Sequence, residues 1–260
     1  MKEKQAASHK QQKEKLAKGL LPHTAIIVQD FSALDTTKKC QTHQDLIITI
    51  YKHDATTEDG LCRQYLHFVG EKKTKNNVDF VISAWETLRK DKVLEGIQHL
   101  HIWSDGGPKH FKMSANIYYC SILSTFIPTT YHFFASYHGQ SACDAAASHA
   151  KRRINVTVRD QDLSIATADM LSMAINTVRN HKACPVEIIT TLTTKKFKTL
   201  TGITQFHKYS FNGIGKIYGY DSTDSPHPTK MYNVKGELSI GGDMECGGGG
   251  DVSAERGWVQ

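Results

Sequence analysis

A chain of 260 residues is long enough to bury a core without disulfide staples, and 39% apolar with 22% charged residues is ordinary for a globular protein. No apolar run approaches the roughly 20 residues that a membrane-spanning helix needs, which excludes that class. Lysine and arginine outnumber aspartate and glutamate 32 to 26, a net charge of +6 that mildly favours polyanions and decides nothing alone.

Residues 1 to 20 carry Lys2, Lys4, Lys10, Lys13, Lys15 and Lys18 against Glu3 and Glu14, and read as a basic arm or frayed helix. They lack the apolar stretch of a secretory signal, so the expected location is the nucleus or the cytoplasm. Cys40, Cys62, Cys120, Cys143, Cys184 and Cys246 form no C-x-x-C pair. They read as buried free thiols rather than a zinc ribbon or a disulfide framework.

Next come three β-favouring runs, Ala25 to Val28 leading to Asp30, Leu46 to Tyr51, and Tyr65 to Val69, which predict a meander. From Asn77 the spacing turns helical, with Val78, Val81, Trp85 and Leu88 on one stripe. A fourth strand, Leu100 to Trp103, runs into Ser104-Asp105-Gly106-Gly107-Pro108, which stops it. A helix over Met113 to Phe126 ends before Pro128, and a fifth strand spans Tyr131 to Ser136. Asp144 then stands near the start of an alanine-rich helix, and Leu163 to Val178 continues with helical spacing.

The order β-β-β-α-β-α-β-α predicts an α/β, RNase H-like core over residues 21–182, a mixed sheet flanked by helices. Residues 183–235 read as a small β-rich C-terminal extension, and 236–260 as a flexible glycine-rich tail.

That topology brings three acids towards one another: Asp30 after the first strand, Asp105 after the fourth and Asp144 at a helix start. Each has an ordinary use as a turn or helix N-terminal residue, and their joint placement is what points to chemistry. Carboxylates are the ligands that Mg²⁺ or Mn²⁺ takes in phosphodiester chemistry. Lys109, Lys112, Lys151, Arg152 and Arg153 flank the acids as candidate contacts to a nucleic-acid backbone. His138, Cys143 and His149 surround Asp144 but match no zinc-finger spacing, and read as a loop histidine, a buried thiol and an exposed helix histidine. No G-x-G-x-x-G or G-x-x-x-x-G-K-[ST] loop is present, which counts against a nucleotide-binding enzyme and an organic cofactor.

The phrases VQDFSAL around Asp30, RQYLHFV in the third strand, IWSDGGPKHFK around Asp105 and HFFASYHGQSACDAAASHAKR around Asp144 resemble those of transposon-derived eukaryotic proteins with a DDE/DDD transposase core. The likeness covers about residues 10 to 182. It implies an RNase H-like catalytic core that cuts and joins DNA with Mg²⁺ or Mn²⁺ held by Asp30, Asp105 and Asp144, and it allows a homo-oligomer. The alternative reading is a catalytically inactive transposase-derived protein that binds nucleic acid or other partners. FSAL after Asp30 and AAASH after Asp144 depart from the polar and glycine-bearing runs of the proteins resembled.

Overall fold

The computed structural model describes residues 19–35, 42–71, 74–106, 110–134, 142–160, 167–188 and 200–234. The glycine-rich tail and residues 1–18 of the basic arm lie outside them. Long β-branched runs form β1 (Thr24–Asp35), β2 (Thr42–His53) and β3 (Leu61–Val69), followed by helix α1 (Val78–Lys90) and β4 (His99–Ser104). Then come α2 (Ser114–Phe126), β5 (Thr129–Phe133), α3 (Ala142–Asp160), α4 (Ala168–Ile175) and β6 (His181–Pro185). Three short strands complete the series: β7 (Lys208–Phe211), β8 (Lys216–Tyr220) and β9 (Lys230–Asn233).

These strands make one nine-stranded mixed sheet in the order β6-β3-β2-β1-β4-β5-β7-β8-β9. The meander β1-β2-β3 is antiparallel, while β4 lies parallel to β1 and β5 parallel to β4. The strands of the C-terminal segment join this same sheet: β6 pairs parallel with β3, and β7 to β9 continue antiparallel from β5. Among the described residues no helix is long and apolar enough to cross a membrane.

Side chains alternate across a strand, so each face has its own core. Ala25, Ile27, Leu46 and Ile48 pack against α1 and α2, where Phe80, Val81, Trp85 and Ile117 are buried. Ile26, Val28 and Ile47 face the other way, against Cys143, Ala146 and Ala147 of α3, while Ala150 and Ile154 pack with α4. The expected α1 stripe is buried, and Asn77 caps the helix by accepting from the Phe80 N–H at 3.1 Å.

Two boundaries differ from expectation. β1 does not end at Asp30, because the twelve-residue β2 carries the antiparallel ladder on to Asp35↔Thr42. The helix expected over 163–178 is described only as α4, with Thr167 capping it by accepting from the Met170 N–H at 3.3 Å. At its other end Asn176 takes the Ala183 N–H at 2.6 Å and donates to the Ala183 carbonyl at 3.1 Å, which turns the chain into β6.

A buried polar hub fixes the middle of the sheet. The Tyr131 hydroxyl of β5 accepts from the Gln29 amide of β1 at 2.8 Å and from the Asn116 amide of α2 at 3.3 Å, and lies 2.9 Å from the Ser104 hydroxyl of β4. The Trp85 indole of α1 donates to the Gln29 carbonyl oxygen at 3.0 Å. Removing the hydroxyl strands several buried groups, so Tyr131→Phe should lower stability by about 1–3 kcal/mol in urea unfolding. A loss under about 0.5 kcal/mol would mean that the hub does not hold the sheet's centre together.

Candidate functional site

The parallel ladder of β1 and β4 runs to Gln29↔Ser104, and Asp30 and Asp105 are the next residues on the two chains. Strand alternation turns Gln29 to the hub and Asp30 to the opposite face, beneath α3. Asp144 stands in the first turn of α3. Between helix and sheet lies a cleft of about 150 Å³, lined by Asp30 and Ser32 of β1 and by Asp144, Ser148 and Lys151 of α3. The helix residues follow an i, i+4, i+7 spacing, which sets them on one stripe. Small residues let α3 come close to the sheet: Ala147 lines the cleft, and the Cys143 thiol lies 3.4 Å from the Val28 carbonyl and 3.6 Å from that of Ile47.

The acids feel one another. Burial pushes the Asp30 carboxyl up to about 7, the Asp105 charge adds to this, the Phe31 N–H opposes it by donating to Oδ1 at 2.8 Å, and Asp144 contributes a smaller push. Among the described residues no group of three or more His, Cys, Asp or Glu side chains is spaced to hold a metal ion. Mg²⁺ is commonly held by one or two carboxylates, with waters and substrate phosphates completing its shell. A half-buried carboxylate pressed by like charges therefore fits that class of ion by donor chemistry, without being a finished cage.

The cations divide. Lys151 lines the cleft, and Arg152, the next residue of α3, is exposed. Arg153, also exposed, donates from Nε to the Thr177 hydroxyl at 2.7 Å and so leans towards the α4–β6 connection, away from the cleft. Lys112 corrects the expectation of a backbone contact. It is 5% exposed, its ammonium donates to the Thr204 carbonyl at 3.0 Å and sits 4.9 Å from the Phe133 ring centre, and burial lowers its pKa to about 8. Lys109 and His138 lie outside the described residues. Cys143 is buried and His149 exposed as expected, whereas Cys62 is an exposed thiol where a buried one was expected.

Sequence reasoning missed the residues that position the acids. Gln29 and Tyr131 are 102 positions apart, and the one signal was a polar residue closing an apolar run. It also missed a buried chain from Asp45 through His67 to His181, in which burial, then His67 and His149, lower the His181 pKa to about 4.

Asp30 ties stability to pH. Its folded pKa, about 7, lies above its ordinary 3.8, so the folded state holds the extra proton between these values and stability falls as pH rises through that window. Asp30→Asn should therefore gain on the wild type between pH 5 and pH 8, reaching about 1–2 kcal/mol at the upper end, by urea unfolding at each pH. A difference that stays constant across this range would contradict the raised pKa.

The comparisons with known proteins reach the family and stop there. No curated protein matches the chain. A solved structure, the simian T-cell lymphotropic virus intasome in complex with PP2A regulatory subunit B56 gamma, is similar at 17% identity over 83% of this chain and 80% of that one, with a TM-score of 0.40, too low to carry an argument. The family model described as Domain of unknown function (DUF8701) matches residues 9–220, a span that takes in the hub, the cleft and all three aspartates, and the chain belongs to that family.

Proposed function

We propose that this chain carries an RNase H-like core of the DDE/DDD transposase type and cleaves or transfers DNA strands at the cleft between β1 and α3, beside Asp105 after β4. The observation that carries the reading is the meeting of Asp30, Asp105 and Asp144 beside Lys151. The element order supports it: an antiparallel meander, then parallel strands joined through helices, with two acids side by side just past the last pair of the parallel β1–β4 ladder. The motifs around the three aspartates support it as well.

The size of the cleft supports a phosphate rather than a whole organic ligand. At about 150 Å³ it falls below the roughly 300–1,000 Å³ typical of small-molecule pockets, yet it can take an ion or a phosphoryl group of a longer chain lying across the surface. Asp30, Asp105 and Asp144 would hold Mg²⁺ or Mn²⁺, which there would neutralise charge building up at the reacting phosphate. Lys151 and Arg152 would contact backbone phosphates and fix the position of the strand. Without a cation, Asp30, with its pKa raised to about 7, is partly protonated at neutral pH, which lowers the negative charge facing the DNA.

Two variants test this on labelled DNA with Mg²⁺ or Mn²⁺. Asp105→Asn should lose cleavage by at least about 100-fold with DNA affinity and folding retained, since its carboxylate serves chemistry and repels its neighbours. Lys151→Glu should weaken DNA binding across all sequences and shrink its salt dependence by about one phosphate contact or more. Cleavage unchanged in Asp105→Asn would overturn the site. Binding by every variant with cleavage by none would leave the inactive transposase-derived binding protein, and no DNA binding at all would overturn both readings.

A further inference from the structure

A second polar constellation lies under α3 on the side away from the cleft. Asp45 of β2 and His67 of β3 are fully buried, and His181 at the start of β6 is 8% exposed. Asp45 Oδ2 lies 2.8 Å from His67 Nδ1, and His67 Nε2 lies 2.8 Å from His181 Nδ1. The two imidazoles are nearly coplanar, at 19°, with centres 5.0 Å apart, so they meet end to end through the hydrogen bond rather than face to face.

With His67 as a neutral imidazole the order assigns the protons: a carboxylate accepts, so His67 donates from Nδ1, its Nε2 accepts, and His181 donates from Nδ1. His181 is left presenting the lone pair of Nε2, held in place by a carboxylate two residues away along the hydrogen-bond chain. Metal-binding histidines are commonly oriented in this way, by the group bonded to their other nitrogen. His149 of α3, exposed, brings its ring centre to 5.8 Å from that of His181. Two imidazoles that share one ion at metal–nitrogen distances of about 2.0–2.1 Å have centres about 5–6 Å apart.

We propose that His149 and His181 form an open two-histidine site for a zinc-class divalent cation, with His67 and Asp45 holding His181 in its binding tautomer. Among the described residues no third His, Cys, Asp or Glu is grouped with them to hold an ion, so water or an external ligand would complete the coordination. The site is independent of the carboxylate cleft. Imidazole nitrogen selects zinc, nickel and copper, whereas the three aspartates suit harder ions such as Mg²⁺. A bound ion would pin α3 to the edge strand β6, so binding should register as thermal stabilisation as well as heat.

Zn²⁺ titrated by calorimetry into the full chain, with millimolar Mg²⁺ present, tests the proposal. Wild type should show a saturable event with a rise in melting temperature. His149→Ala, which changes an exposed helix residue, should weaken that event at least about 10-fold and abolish the rise; His67→Gln should weaken it about 10–100-fold. Asp105→Asn should bind Zn²⁺ like the wild type. No Zn²⁺ binding by the wild type, or binding equal in His149→Ala, would reduce the constellation to a hydrogen-bonded core element and overturn the proposal. Loss in Asp105→Asn but not in His149→Ala would place the ion at the aspartates and overturn it equally.

Discussion

The Tyr131 hydroxyl is the junction on which the placement of the acids depends. It gathers Gln29 of β1, Ser104 of β4 and Asn116 of α2 at one buried oxygen, while Trp85 of α1 holds the far end of the Gln29 amide. Gln29 and Ser104 are register partners, and the residues that follow them are Asp30 and Asp105. A one-residue slip of β1 would turn Gln29 into the cleft and bury Asp30 among the aromatic residues of α1, so the hub specifies register more strictly than apolar packing could. Phe31 reinforces this from the same face, with ring contacts to Phe80, His110 and Phe111 at 5.0 to 5.6 Å.

That placement works against folding. Asp30 is desolvated and faces two like charges, an arrangement that no packing requirement explains and that raises its pKa to about 7. The fold holds it because the cost is spread over a continuous sheet whose strands are fixed by ladders on both sides and by cores on both faces. Perturbed groups of this kind gather where proteins do chemistry.

How far the sequence reveals this depends on how local each signal is. The stripe Val78, Val81, Trp85, Leu88 and the Asn77 cap are written within one stretch of chain, and α1 follows them closely. The order of strands and helices through β5 is legible for the same reason, and it is enough to bring Asp30 and Asp105 to adjacent strands. What escapes is non-local. The full length of β1 depends on pairing with β2, the hub joins residues as far as 102 positions apart, and β7 to β9 read as a separate extension because their pairing with β5 leaves no trace in their own periodicity. Lys112 escapes for a chemical reason: a lysine next to an aromatic residue in a loop reads as exposed, and only the Thr204 carbonyl and the Phe133 ring, supplied from elsewhere, make its burial tolerable.

Helix α3 shows why these separate features belong to one design. Its core stripe of Cys143, Ala146, Ala147, Ala150 and Ile154 seats it on the sheet through small side chains, which brings its two flanks close to the strands. One flank, Asp144, Ser148 and Lys151, hangs over Asp30; the other carries His149 over His181 and Arg153 against Thr177. Larger residues on the core stripe would lift both flanks at once, opening the cleft and parting the histidines. The alanines that read in sequence as helix propensity therefore act mainly as spacers, setting by their size how near the helix's acid, cation and imidazole come to partners fixed in the sheet.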